Sequence, residues 1–154
     1  MQMIINSKTH GQKIDFLDSV DWDLISPYSW SLAKRNGIFY AEARVNGKNM
    51  FLHTFISGFK QTDHIDGNGL NNSRENLRSC NKTQNAQNSK INSRNKTGYK
   101  GVTFYKKSGK FYACIRIKGK TKPLGYYINK EEAALAYNQA AVKYFGEFAR
   151  LNTF

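Results

Sequence analysis

The sequence predicts an α+β protein: an N-terminal β-meander, a β-β-α unit behind it, and a C-terminal three-stranded antiparallel sheet packed on one helix. Three observations predict this. Two Asn-Gly dipeptides separate short runs rich in aromatic and β-branched residues, apolar and polar residues alternate through KFYACIRIKG, and an alanine-rich stretch with helical spacing lies between Asn129 and Gly146.

In residues 1 to about 53, SWSLAKR, IFYAEARV and KNMFLH are joined by Asn36-Gly37 and Asn46-Gly47. That dipeptide suits two-residue type I′ hairpin turns because both central positions need positive φ. Upstream, FLDSVDWDLISPYSW holds Asp15, Asp18, Asp21 and Asp23. It lacks the Gly and terminal Glu of an EF-hand loop and is interrupted by Trp22 and Leu24, so it reads as a packing segment with solvated carboxylates. Between about 51 and 90, TDHID reads as a short strand, GNGLNNSR as a loop, ENLRSC as a returning strand and NKTQNAQNSK as a polar helix. The nearly apolar-free NSKINSRNKTG reads as a linker. Domains therefore fall at 1–92 and 98–154, with 93–97 between them.

Beyond residue 97, GYKGVTFYKK, KFYACIRIKG and TKPLGYYI read as three strands, and EEAALAYNQAAVKYF as a helix. Asn129 and Glu132 have capping-box spacing, and Gly146 is placed to end the helix. A face of Ala133, Ala136, Tyr137, Ala140, Ala141 and Tyr144 lets the helix lie close against the sheet. Alternation in the middle strand puts Phe111, Ala113, Ile115 and Ile117 toward the helix and leaves Tyr112, Cys114, Arg116 and Lys118 on a basic outer face.

The formal charge is +13, and its distribution is uneven: no Asp or Glu occurs between Glu75 and Glu131, while 14 of the 24 Lys and Arg fall between Arg78 and Lys130. A run of basic side chains mixed with Tyr99, Phe104, Tyr105, Phe111 and Tyr112 suits a polyanion, with nucleic acid the expected partner. No apolar run approaches the roughly 18 residues of a membrane span. The N-terminus MQMIINSKTHGQK lacks the apolar core of a secretory signal, and Cys80 and Cys114 form neither a disulfide framework nor a CxxC pair. The expected setting is intracellular and cytoplasmic, with no membrane and no obligatory protein partner.

The densest chemistry is in residues 63–78, DHIDGNGLNNSRENLR. Phosphodiester hydrolysis needs a base to deprotonate water, a cation to stabilise charge on the phosphate and leaving oxygen, and ligands for that cation. Asp63 and His64 supply a ligand and a base from one strand. They point to opposite faces unless the strand bends or the metal sits to one side. Oxygen donors from Asp and Asn suit a hard divalent ion, magnesium first and manganese in its place. Asp66, Asn68, Asn71 and Asn72 read as turn formers, and His10 as an ordinary surface residue.

The run LHTFISG, then DHIDGNGLNNSRENLR, then TQNAQN resembles the HNH homing endonucleases, whose ββα-metal (His-Me finger) motif cuts or nicks DNA with one divalent ion. The resemblance covers about 40 residues. It implies that Asp63 is the first-strand metal ligand, His64 the general base, Asn76 the asparagine that fixes the loop and orients the histidine, and Asn85 the helix residue completing the metal site. Asn81 and Asn88 share a helix face with Asn85 and compete with it. His53 stands where the family places a residue that contacts phosphate or packs beneath the site, and both readings remain open. The resemblance also suggests a phage or mobile-element origin.

A second resemblance covers most of the C-terminal section. YKGV, LGYY, EEAALAY and FGEFARLN are similar to the Apetala-two domain of plant ethylene-response factors, whose sheet lies in the DNA major groove. Lys100 and Arg116 match arginines that contact DNA in that family. Thr103, Cys114 and Pro123 occupy other base-contacting positions, and KKSG replaces a tryptophan-containing turn, so the plant target sequence does not transfer. Thr103, Lys107, Lys110, Tyr112, Arg116 and Lys118 are the expected DNA contacts, with Lys106, Lys120 and Lys122 adding phosphate affinity. The expected function is a metal-dependent DNA endonuclease; the alternative is a DNA-binding regulator whose HNH section survives as scaffold.

Overall fold

The computed structural model describes residues 1–154, and its first strand pair is one that the Asn-Gly signals do not mark. Gln2–Ser7 (β1) and Gly11–Phe16 (β2) form an antiparallel hairpin in which Ser7 faces Gly11. The loop Lys8–His10 closes on Gly11 at φ 67°. A 3-10 turn at Ser19–Asp21 and the short helix Trp22–Ile25 (α1) follow. The meander then appears as read from sequence: Ser31–Arg35 (β3), Ile38–Val45 (β4) and Lys48–Phe51 (β5) pair in the order β3-β4-β5. Both hairpin turns have positive φ at each central residue, 50° and 82° at Asn36-Gly37 and 49° and 78° at Asn46-Gly47, as type I′ geometry requires.

The third strand is shorter than KNMFLH suggests. At Leu52 the chain turns into the helix Leu52–Ser57 (α2), which buries Leu52, His53 and Ile56 on one face and ends at Gly58 with φ 68°. Helical spacing of these three residues, rather than strand alternation, satisfies the core. That core joins Ile5, Leu17, Ile25, Ala41, Leu52, Ile56 and Leu77, with Trp30 and Phe55 packed on it. The β-β-α unit follows: Thr62–His64 (β6) pairs antiparallel with Leu77–Ser79 (β7), and Lys82–Gln87 forms the helix α3.

The chain divides into two compact units, Met1–Lys82 and Thr83–Phe154. Residues 83–92, which the sequence groups with the first domain, belong to the second unit. The segment read as a linker is an ordered turn. The Asn95 side chain donates to Tyr99 O and Val102 O and accepts from Thr97 N and Gly98 N.

In the second unit Val102–Tyr105 (β8), Lys110–Ile117 (β9) and Lys120–Tyr127 (β10) form a sheet in the order β10-β9-β8, and the helix Lys130–Phe145 (α4) packs on it. Ala113 and Ile115 are buried toward α4, whereas Arg116 and Lys118 are exposed, as the alternation predicts. Close packing also fixes Gly101, where a Cβ would collide with the Tyr137 ring.

The two ends of α4 carry two corrections. Asn129 makes no side-chain cap to the backbone; its Nδ2 donates instead to Glu132 Oε1 at 3.2 Å. Tyr144 lies outside the packed face, with its hydroxyl accepting from Lys122 Nζ at 2.7 Å, and Ala134 is buried along with Ala133, Tyr137, Ala140 and Ala141. Gly146 does end the helix, its N–H donating to Val142 O.

Candidate active site

The loop between β6 and β7 is organised by its own side chains. Asp66 accepts from Asn68 N at 2.7 Å and from Asn71 Nδ2 at 2.8 Å, and Asn68 Oδ1 accepts from Leu70 N. These are the local Asx bonds expected of turn formers. Burial tends to raise the Asp66 carboxyl, but the bonds from Asn68, Asn71 and Asn76 outweigh it and hold the group below the usual carboxylate range. Asn76 closes the loop. Its Oδ1 accepts from Asp66 N, its Nδ2 donates to Asp66 Oδ1 and Asn71 O, and its carbonyl accepts from Ile65 N beside His64.

Asn72 does something else. It is fully buried, and its Oδ1 lies 3.1 Å from His64 Nε2. Its Nδ2 donates to both carboxylate oxygens of Asp15, at 2.8 and 2.7 Å. Asp15 is also fully buried, which corrects the reading of that segment's carboxylates as solvated. The backbone explains the placement: Phe16 N donates to Leu70 O and Asn72 N to Phe16 O, so β2 and the loop are laced together one residue from Asp15. Asp18 accepts from Arg74 N, and the buried Asp21 accepts from the Arg74 guanidinium. Three carboxylates spaced three residues apart thus hold the loop from the N-terminal side, while Asp23 stays exposed.

His64 is 6% exposed. Burial holds its imidazole below the ordinary histidine range, against the opposing pull of the Asn72 bond and of the Asp66 and Asp63 carboxylates. Burial therefore favours the neutral ring. Tyr40 and His53 flank it, with ring centroids 6.0 and 4.8 Å away. His53 itself is buried, stacked on Phe51, and lowered to about 3 by burial and the neighbouring His64. Its Nδ1 has no hydrogen-bond partner.

Asp63 is buried opposite Arg78 in the β6–β7 register. Arg78 Nε and its terminal nitrogen donate to Asp63 Oδ2 at 2.9 and 2.8 Å. No cluster of three or more His, Cys, Asp or Glu side chains that could hold a metal is gathered in the structure. Asp63 alone offers one carboxylate, a donor that suits a hard ion such as magnesium rather than the His and Cys sites of zinc.

Asp63, His64 and Asn76 are thus brought together in the first unit. Asn85 lies exposed on α3 in the second unit, and Asn88, just beyond α3, is buried. Of the residues expected to meet DNA, Thr103, Lys107, Lys110, Arg116 and Lys118 are exposed and Tyr112 is half-buried. Tyr112 and Tyr105 each pack on Tyr126, at 5.0 and 5.7 Å. Arg116 Nε braces the turn through Gly119 O. Lys100 is committed elsewhere: its ammonium donates to Gln87 O and Ser89 O at 2.6 and 2.7 Å, and burial with the nearby Arg150 lowers it to about 8.

Sequence reasoning missed Asp15, Asn72 and Arg78. For Arg78 a signal existed, since antiparallel pairing of TDH with LRS sets Arg78 across from Asp63. No helix of the chain is long and apolar enough to cross a membrane.

No known family profile matches the chain, and no solved structure matches it. A protein of Acanthamoeba polyphaga mimivirus described as an uncharacterized HNH endonuclease is 33% identical over 145 residues, covering 89% of this chain and 73% of the viral protein. With identity at that level over most of both sequences, the chain belongs to the HNH endonucleases.

Proposed function

We propose that the chain hydrolyses phosphodiester bonds in double-stranded DNA, with His64 as the general base. The observation that carries this reading is the buried, neutral His64 imidazole, bonded on one nitrogen by Asn72 and framed by Tyr40 and His53. The ring takes a proton from water, the resulting hydroxide attacks phosphorus in line, and the bond from phosphorus to the 3′ oxygen breaks. Asn76 keeps the β6–β7 loop closed around the base through its three side-chain bonds.

By the motif, Asp63 would hold one divalent cation, magnesium or manganese in its place, which when bound would supply positive charge to the phosphate and leaving oxygen. The second unit serves as an Apetala-two-like DNA holder. Its exposed Lys107, Lys110, Arg116 and Lys118 attract the phosphate backbone, and Thr103 and Tyr112 lie on the same outer face; Lys100, held by two carbonyls, contributes to folding instead. The giant-virus relative favours a viral or mobile-element origin.

The test is nicking or linearisation of supercoiled plasmid. Wild type is expected to cut with magnesium and to stop with EDTA, and Asp63→Ala to lose activity at ordinary magnesium. EDTA-resistant cutting contradicts the metal assignment, and an inactive wild type across many substrates favours the regulator reading.

A further inference from the structure

We propose that Asp15, acting through Asn72, sets the tautomer of His64, so that Nε2 carries the proton and Nδ1 is the nitrogen that accepts one from water. This rests on the reading of His64 as the base and names two positioning residues for it.

Above about pH 7, where Asp15 is ionised, its carboxylate only accepts hydrogen bonds, and both of its oxygens lie within 2.8 Å of Asn72 Nδ2. That fixes the amide: its NH2 end faces Asp15, and its oxygen faces His64. An amide oxygen also only accepts, so the His64 nitrogen 3.1 Å from it must donate. Nε2 therefore bears the hydrogen, and in the neutral ring Nδ1 holds the lone pair. Several features keep the arrangement from inverting. Asn72 and Asp15 are both 0% exposed, so water cannot replace either bond. The backbone bonds of Phe16 to Leu70 and Asn72 hold the two side chains in register. Tyr40 and His53 crowd the imidazole, which hinders a ring flip that would swap its nitrogens. Asp15 need not touch DNA, metal or water to matter, because its effect reaches the reaction through which ring nitrogen is basic.

Asp15→Asn, nearly isosteric, is the informative change. The amide introduced there puts one donor beside one acceptor where the carboxylate only accepted, so Asn72 is no longer held one way and its turned-over form becomes populated. In that form the Asn72 NH2 faces Nε2, which must give up its proton, and the ring becomes the Nδ1–H tautomer. Long-range proton–nitrogen correlation NMR distinguishes the two forms, and with only 3 histidines in the chain the spectrum of His64→Ala identifies the signals of His64.

At pH 8 wild type is expected to show the Nε2–H form and Asp15→Asn a mixture with Nδ1–H, with kcat falling in proportion to the Nε2–H fraction and KM for plasmid changing little. Stability supplies the control. Burial pushes the Asp15 carboxyl up to about 7 from 3.8, so the folded chain holds that proton more tightly than the unfolded one. Stability falls as pH rises from the unfolded to the folded value, and the full penalty applies above about 7. Asp15→Asn should therefore melt no lower than wild type at pH 8. Should it fail to fold, Asp15→Leu with Asn72→Leu removes donor and acceptor together, and is expected to fold, lose kcat and leave the His64 tautomer mixed. A purely Nε2–H ring in a folded variant, or an unchanged kcat where the tautomers are mixed, overturns the inference. If His64→Ala still cuts at the wild-type rate, the base assignment fails, while the NMR result continues to decide tautomer control by itself.

Discussion

Replacing His64 with alanine is expected to lower the cleavage rate about 10²- to 10⁴-fold while leaving DNA affinity nearly unchanged. The imidazole is buried and neutral, so it adds nothing to the field that gathers DNA. That field comes from the excess of Lys and Arg behind the +13 charge, and its affinity should fall steeply with added salt as counterions are released. Binding measured across a salt series should give superimposable curves for wild type and His64→Ala, with single-turnover cleavage separating them. A mutant that cuts within tenfold of wild type removes His64 from the chemistry.

The largest effect on stability is expected from Arg78→Ala. Arg78 and Asp63 have side chains only 12% and 5% exposed, and their nitrogen and oxygen lie 2.8 Å apart. Removing the guanidinium leaves a buried carboxylate without that partner, a change that costs about 3–5 kcal/mol. For a chain of this size that corresponds to a fall in Tm of roughly 6–20 °C. Because the same carboxylate is the proposed metal ligand, added magnesium should recover more of the lost Tm in Arg78→Ala than it adds to wild type. Thermal melting with and without magnesium measures both. A fall below about 2 °C shows that the pair does not hold β6 to β7 in the way its geometry indicates.

Features set by neighbouring residues were legible in the sequence. Asn36-Gly37 and Asn46-Gly47 announce their turns because the required positive φ is a local property. The outer face of β9 follows from alternation, and the Asp66 and Asn68 bonds from the habit of Asx side chains to bond nearby backbone. Contacts across long stretches of chain were not legible. Asp15 and Asn72 are 57 residues apart, and nothing local distinguishes a carboxylate that reaches a buried amide from one left in water. Asn72 is masked further by Asn71 beside it, whose side chain bonds within the loop, to Asp66 and Ser73. Lys100 illustrates the same limit, since a resemblance assigns it to DNA while the fold commits its ammonium to the Gln87 and Ser89 carbonyls. The β1–β2 hairpin carries only a weak signal, a three-residue loop closed by Gly11.

If His64-activated water breaks the bond to the 3′ oxygen, the ends of the cut DNA show it most directly. In-line attack with loss of that oxygen leaves a 5′ phosphate and a 3′ hydroxyl. Plasmid nicked by wild type in magnesium should therefore be resealed by DNA ligase alone, and His64→Ala should yield almost no resealable nicks. Nicks that ligase cannot close until a 3′ phosphate is removed, or equal amounts of product from both proteins, would contradict the account.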